Sequence, residues 1–306
     1  MASKAKQFRR KVEGNIGAAL LRGVVRMMRA KSDAEAERLG AKFGRWIHHM
    51  VKRRRETCRN NLRMAFPDWP EDKIQKVALQ VFEHYGRVTA DFVRAPDRSL
   101  ETLASSGTIL GIEHINEALK LGKGAILITA HFGNWERFAA YAALKGYPVN
   151  VVARATNNPK MNEMMTELRS AQGTRVIDRG DAARPILERL RKNEIIAILP
   201  DQNTNPDIDG IFLPFFGKPA GTVLGPGVIA ERTGAPVLVC YCIWEGPCRY
   251  RMVIEPELKA KPGYEKRGEG MMRAINDALE QVIRQHPEQW LWFHDRWKSA
   301  RQKGLL

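Results

Sequence analysis

GAILITAHFGNWERFAAYAALKG, residues 124–146, decides the fold. The apolar run behind Gly124 is too short for a globular helix and suits a strand buried on both faces. "WERFAAYAALKG" follows with helical composition and spacing. The alternation then repeats: "PVNVVARA", a helical stretch through Arg169, "GTRVID", a helix through Arg191 and "EIIAILPD". Short apolar runs alternating with helices predict βαβ units around a mostly parallel sheet. A loop rich in Asn, Asp, Pro and Gly (203–221) precedes a helix near 225–233. Two strand-like runs follow, "PVLVCYCIW" and "YRMVIEPE", then a helix over roughly 265–285 and the aromatic tail "PEQWLWFHDRWK". Residues 33–120 read as helical with few strand signals, and Pro67 and Pro70 mark a loop. The expected fold is α/β, a central mostly parallel sheet flanked by helices, with a helical N-terminal annex. The expected division is a basic amphipathic segment over 1–46 and an α/β domain over 47–306.

The chain has 306 residues, 44% of them apolar, with a mean hydropathy of −0.38, so a substantial core is available and wholesale disorder is excluded. Its net charge is +16. Residues 1–60 carry 17 Lys and Arg against 5 Asp and Glu, a patch that attracts polyanions. Between Gly14 and Ala30, Arg22, Arg26 and Arg29 fall on one helical stripe, and Ile16, Leu20, Val24 and Met27 on the opposite one. Such a helix fits a membrane surface; the competing reading is a basic helix packed on the protein's own core. No uncharged apolar run reaches the length of a span, no secretory signal is written, and no nucleic-acid motif accompanies the charge. Cys58, Cys240, Cys242 and Cys248 form no CxxC pair. The thiols of the CxC at 240–242 are expected to diverge along a strand, a poor zinc clip, so the four read as ordinary thiols of a reducing compartment.

His131 stands just past "GAILITA", at the carboxyl end of a predicted strand, where open α/β sheets bind ligands. Gly133 lets the backbone turn, Asn134 is placed to cap the next helix, and Glu136 falls in its first turn, where the helix dipole favours a carboxylate. On one continuous helix, a spacing of five would separate the two side chains by about 140°. Across a strand–turn–helix junction they can meet. A carboxylate on one imidazole nitrogen would then fix the tautomer and leave the other nitrogen as a base for an alcohol proton. The bland alternative is a hydrogen-bonding His at a strand end and a Glu that only caps. GxSxG, HExxH, HxxEH and P-loop patterns are absent. The G-x-G-x-x-A string at Gly225, Gly227 and Ala230 has no clear strand before it and reads as a glycine-assisted helix start.

The H-x4-E of "ITAHFGNWE" (128–136) resembles the signature of the glycerolipid acyltransferase superfamily. The phrases around it resemble the bacterial branch that adds secondary acyl chains, lauroyl or myristoyl, to lipid A. These are "RNNLRMAFP" (59–67), "LRSAQGTRVID" (168–178), "ILPDQN" (198–203), "FLPFFGKPAGT" (212–222), "AERTGAPVL" (230–238) and "HPEQWLWFHDRWK" (286–298), in the order associated with that branch. The resemblance implies a transferase in which His131 deprotonates an acceptor hydroxyl and Glu136 orients and polarises the histidine. Attack falls directly on the thioester of an acyl carrier protein conjugate, with no cofactor, no metal and no acyl-enzyme. It implies an anionic lipid acceptor, a lipid A precursor, met at the cytoplasmic face of a bacterial inner membrane, where the N-terminus associates peripherally.

Arg169, Asp201 and Gln202 match positions that support or bind substrate in that branch. Asp201 also follows a predicted strand, where a loop carboxylate accepting backbone N–H bonds is the alternative. Arg154, after "PVNVVA", suits bidentate phosphate binding and equally a plain surface position. "FLPFFG" and the Trp-rich tail read either as acyl channel or as core. Two departures stand out. Arg22, Arg26 and Arg29 interrupt the N-terminal hydrophobic anchor of many members, and "LPDQN" replaces the proline-rich site loop of the wider superfamily. The runner-up acceptors are a lysophospholipid, an aminolipid or a glycolipid; the remote alternative is a non-catalytic basic membrane-binding protein.

Overall fold

The computed structural model describes residues 23–155 and 158–306. Its centre is a seven-stranded sheet in the order β1-β9-β8-β2-β5-β3-β4. The strands are β1 (Gly107–Leu110), β2 (Ala125–Ile128), β3 (Val149–Ala153), β4 (Arg175–Asp178), β5 (Ile195–Ile198), β8 (Val237–Gly246) and β9 (Arg249–Glu257). Strands β8, β2, β5, β3 and β4 run parallel; β9 returns antiparallel on β8, and β1 lies parallel to β9. A separate antiparallel hairpin, β6 (Gly210–Phe215) and β7 (Lys218–Val223), packs beside it. The sheet is covered on both faces. Ile126, Ile128, Ile196 and Val239 enter one apolar cluster, and Leu127, Ala197, Leu238 and Cys240 the other. Double burial is why these strands read as unbroken apolar runs. This is the expected α/β architecture.

Four local expectations change. Residues 107–110 form an edge strand inside the stretch read as helical; β9 recruits it, a partnership no local pattern announces. The 203–221 loop contains the β6–β7 hairpin, and β7 leads into helix Gly225–Thr233, so the G-x-G-x-x-A string follows a strand after all. Its Gly227 is required by packing, because a Cβ there would stand 2.2 Å from the carbonyl oxygen of Gly268. Cys240 and Cys242 are alternate residues of β8 and share one face, both buried in the same cluster, where burial pushes both thiols up.

Helix Asp33–Met50 is capped by Ser32 and Glu35 and runs through the expected boundary at 46/47. It buries Ala36, Gly40, Gly44 and His48, one residue per turn, against helix Glu71–Val93. The backbones touch: a Cβ on Gly44 would lie 2.0 Å from the carbonyl oxygen of Phe82. Gly44→Val should therefore destabilise the fold by about 2–3 kcal/mol through overpacking. Urea unfolding checks this, and a midpoint equal to that of the unsubstituted protein would refute it. Ile16, Leu20 and Arg22 of the proposed N-terminal stripe lie outside the described residues. Residues 23–29 are helical, Val24 and Met27 are exposed, and Arg29 Nε donates to Asp97 (2.7 Å).

Candidate active site

Strands β2 and β5 are neighbours, with Ile128 opposite Ile198. Three residues beyond each of these paired ends stand His131 and Asp201. Their side chains meet: Nδ1 of His131 lies 2.9 Å from Oδ1 of Asp201. The His131 backbone N–H donates to Oδ2 (2.9 Å), and the buried Trp290 indole N–H donates to the same oxygen (2.8 Å). Burial would raise the Asp201 carboxyl. The His131 ring and these hydrogen bonds outweigh it and hold the acid below its ordinary range. Asp201 is only 2% exposed, while His131 opens on a cavity. With Nδ1 engaged, Nε2 is the nitrogen left for chemistry.

The geometry therefore differs from the expected pairing of His131 with Glu136. Glu136 is committed elsewhere: Arg169 donates to it from Nε (3.2 Å and 3.1 Å to its two oxygens) and from Nη2 (2.5 Å), and Trp135 Nε1 adds a bond of 3.2 Å. The guanidinium is bound side-on. Burial lowers the Arg169 pKa, but the Glu136 hydrogen bonds and charge prevail and raise it. The helix begun at Trp135 turns Glu136 away from Asp201, and the His131 ring meets the edge of Trp135 instead, at 5.3 Å between centroids.

The turn between strand and helix is fixed from three sides. Gly133 has φ 57°, and a Cβ there would approach the Cys242 carbonyl oxygen to 2.1 Å. Asn134 caps the helix by accepting from Arg137 N (3.0 Å) and donates to Asp91 (2.8 Å), a mostly buried carboxylate of helix Glu71–Val93 that also receives Arg137 Nη1 (3.0 Å). Tyr85 of the same helix donates to the His131 carbonyl, and the His84 ring meets the Gly133 carbonyl at 3.1 Å. The helical annex is thus the support of the histidine. From the other side, Phe132 bridges Trp290, and Leu291 N donates to the His131 carbonyl (3.1 Å).

The cavity has a volume of about 560 Å³ and lies over the carboxyl ends of the strands. One wall, between the sheet and helix Trp135–Leu144, is Leu127, Phe138, Ala139, Ala142 and Val151; the opposite wall includes Ile186, Ile198 and Ile229. His131, Glu136, Arg154, Arg169 and Gln202 are among its polar groups, with Thr129, Asn162, Arg179, Thr204 and Asp209. Gln202 Nε2 sits 3.2 Å from Nε2 and 3.4 Å from Nδ1 of His131, which puts the amide over the ring. Arg154 follows β3 directly and is exposed at the rim. Of the six residues singled out in the sequence, five line the cavity. Asp201 lies behind His131, a support for it and not a wall.

The aromatic phrases resolve as core. Phe215, Phe216, Trp290, Trp292 and Trp297 are buried together in the larger cluster. Sequence reasoning missed Trp290 and Tyr85 as supports of the site, and it missed Arg296, fully buried beneath the loop after β5 and bound to the Gly221 carbonyl and Thr222 Oγ1. Burial pulls that guanidinium down to about 10. For Trp290 and Arg296 the available signal was the density of aromatic and charged residues in "EQWLWFHDRW", which did not reveal which strand end they face; for Tyr85 there was none.

Comparison with known proteins places the chain in a family. Residues 3–299 match the family model described as bacterial lipid A biosynthesis acyltransferase. A lipid A biosynthesis acyltransferase of Haemophilus influenzae is 26% identical over 84% of this chain and 79% of its own length. The Escherichia coli lipid A biosynthesis lauroyltransferase is 27% identical, over 88% and 86%. A phosphatidylinositol mannoside acyltransferase of Mycobacterium tuberculosis is 26% identical, over 79% and 77%. With nearly its whole length matched, the chain is an acyltransferase and belongs to the bacterial lipid A biosynthesis acyltransferase family.

Proposed function

We propose that this protein transfers a fatty acyl chain from an acyl carrier protein thioester to a hydroxyl of a lipid A precursor at the cytoplasmic face of a bacterial inner membrane. The observation that carries this reading is the His131–Asp201 pair opening on a largely apolar cavity. His131 Nε2 accepts the acceptor's hydroxyl proton as the oxygen attacks the thioester carbonyl. Collapse of the tetrahedral adduct breaks the C–S bond, and the departing thiolate recovers the proton from His131. Asp201 holds the Nδ1–H tautomer and balances the imidazolium between these steps. No covalent acyl-enzyme is needed. The one thiol on the cavity wall, Cys240, is pushed far toward its protonated form by burial. The apolar walls suit an acyl chain, each buried methylene contributing about 0.8 kcal/mol. Arg154 at the rim places positive charge beside it for phosphate groups, and the net charge of +16 favours an acidic carrier.

A glycolipid acceptor is the second reading, favoured by the mycobacterial relative, which matches at the same identity as that of Haemophilus influenzae. Purified protein, acyl carrier protein thioesters and a panel of lipid acceptors analysed by mass spectrometry decide between them. Transfer to the lipid A precursor supports the first reading, and transfer only to a mannolipid the second. His131→Ala should lower turnover by about 10²- to 10⁴-fold. Near-unchanged turnover would remove the histidine from the mechanism.

A further inference from the structure

Helix Asp33–Met50 inverts the usual pattern of a surface helix, burying small residues and exposing large ones. Its glycines are locked against helix Glu71–Val93, while Phe43 (53%), Trp46 (53%) and Met50 (63%) are exposed. At 100° per residue these three fall within an arc of about 60°, and the rings of Phe43 and Trp46 stack at 5.6 Å. Val51, which ends the helix, is also exposed, and Val24 and Met27 are exposed just upstream. Arg38, Lys42 and Arg45, all exposed, occupy the adjoining arc, and Lys52, Arg53 and Arg54 begin the next helix, exposed in turn. Among the described residues this is where exposed large apolar side chains concentrate. A rigid backbone keeps them there, so their exposure does not reflect a loose helix.

We infer that this face docks on an anionic lipid bilayer. Phe43, Trp46 and Met50 enter the headgroup–acyl boundary, and Lys42 and Lys52 to Arg54 meet lipid phosphates, while Arg45 is paired with Glu83 (2.7 Å). The inference rests on the reading of the protein as an enzyme of lipid acceptors. A stripe of aromatic and sulfur side chains beside a basic stripe complements an anionic interface, which is apolar and negative within a few ångströms. A second copy of the chain does not complement it, because two such basic flanks would repel. No described helix is long and apolar enough to cross a membrane, so the helix lies on the surface. The face also lies near the site. Arg54 Nη1 donates to the Phe293 carbonyl (3.3 Å), the Phe293 ring meets that of Tyr85 at 5.1 Å, and Tyr85 donates to the His131 carbonyl. Docking there brings a lipid-borne hydroxyl to the end of the molecule where His131 works.

Flotation of the full chain with phosphatidylcholine vesicles, with and without phosphatidylglycerol, tests the inference. Phe43→Ser/Trp46→Ser/Met50→Ser should weaken binding at least about tenfold. Lys42→Glu/Lys52→Glu/Arg53→Glu should remove the preference for phosphatidylglycerol, about 100-fold. Brominated acyl chains should quench Trp46, a signal absent in Trp46→Phe. Both triple variants should keep acyl transfer to a detergent-dispersed acceptor, which also shows that they fold. Vesicle binding unchanged by the serine triple overturns the inference. So does light scattering that finds a dimer dissociated by the same triple, or a loss seen only as a raised KM for the acyl carrier thioester in detergent. If the unsubstituted protein binds vesicles as described yet transfers no acyl chain, the enzymatic reading fails and the docking face stands.

Discussion

Asp201→Asn should fold and lose about 10²- to 10⁴-fold in turnover, close to the loss in His131→Ala. The native carboxylate accepts three hydrogen bonds, two from N–H groups that keep their protons at every working pH, the His131 backbone and the Trp290 indole. An asparagine keeps those two by turning its carbonyl oxygen toward them. Its amide then faces Nδ1 of His131, where it donates. The imidazole responds by placing its proton on Nε2, and the nitrogen facing the cavity ceases to be a base. Binding of the acyl chain is untouched, because Asp201 does not line the cavity. The defect should therefore appear in kcat and leave KM for the acyl donor nearly unchanged. Full activity in Asp201→Asn would show that the carboxylate is structural. Trp290→Phe is the milder companion: it removes one donor and keeps the packing, so kcat should fall by a smaller factor.

The sequence disclosed His131 through position: an apolar run, then a histidine, a glycine and a capping asparagine describe a strand end without any partner being known. Its carboxylate was a different problem. Asp201 was visible as a strand-end residue, and the equal offset of His131 and Asp201 from Ile128 and Ile198 makes their meeting a matter of register. That register exists only once β2 and β5 are neighbours, with β3 and β4 beyond them, and strand order is a non-local property. Glu136 looked the better partner because it is near in sequence. The cap at Asn134 starts the helix at once, and a first-turn side chain then projects to Arg169, thirty-three residues on. The same limit hid β1, whose only partner among the described residues is β9, and hid the role of the annex, since Tyr85, His84 and Asp91 sit on a helix that reads as ordinary and amphipathic. It also left the cavity unassigned: Phe138, Ala139 and Ala142 differ from core residues only in what fails to fill the space opposite them.

Separating Glu136 from His131 gives the second large effect. Arg169→Ala should cost about 3 kcal/mol of folding stability, because it leaves a carboxylate with little exposure (9% of its side chain) without its cation. Glu136→Ala leaves the guanidinium, 18% exposed, in the converse position, with a somewhat smaller cost expected because an arginine can reach outward to solvent. The double variant Glu136→Ala/Arg169→Ala removes both charges together and should cost less than the sum of the two single losses, so the coupling between the two residues should be about 2 kcal/mol or more. The same cycle between His131 and Glu136, measured by thermal unfolding, should give a coupling near zero, since no hydrogen bond joins them. Kinetics supply the second half of the test. If Glu136 reached the histidine in the reacting complex, Glu136→Gln would shift the acid limb of the pH profile of kcat/KM, as removal of an imidazolium partner must. With Glu136 held by Arg169, the profile keeps its shape and its height falls, because a slackened Arg169 no longer sets the charge and width of the cavity wall. A shifted limb would return Glu136 to the dyad and make the Arg169 pair a resting arrangement that substrate binding breaks.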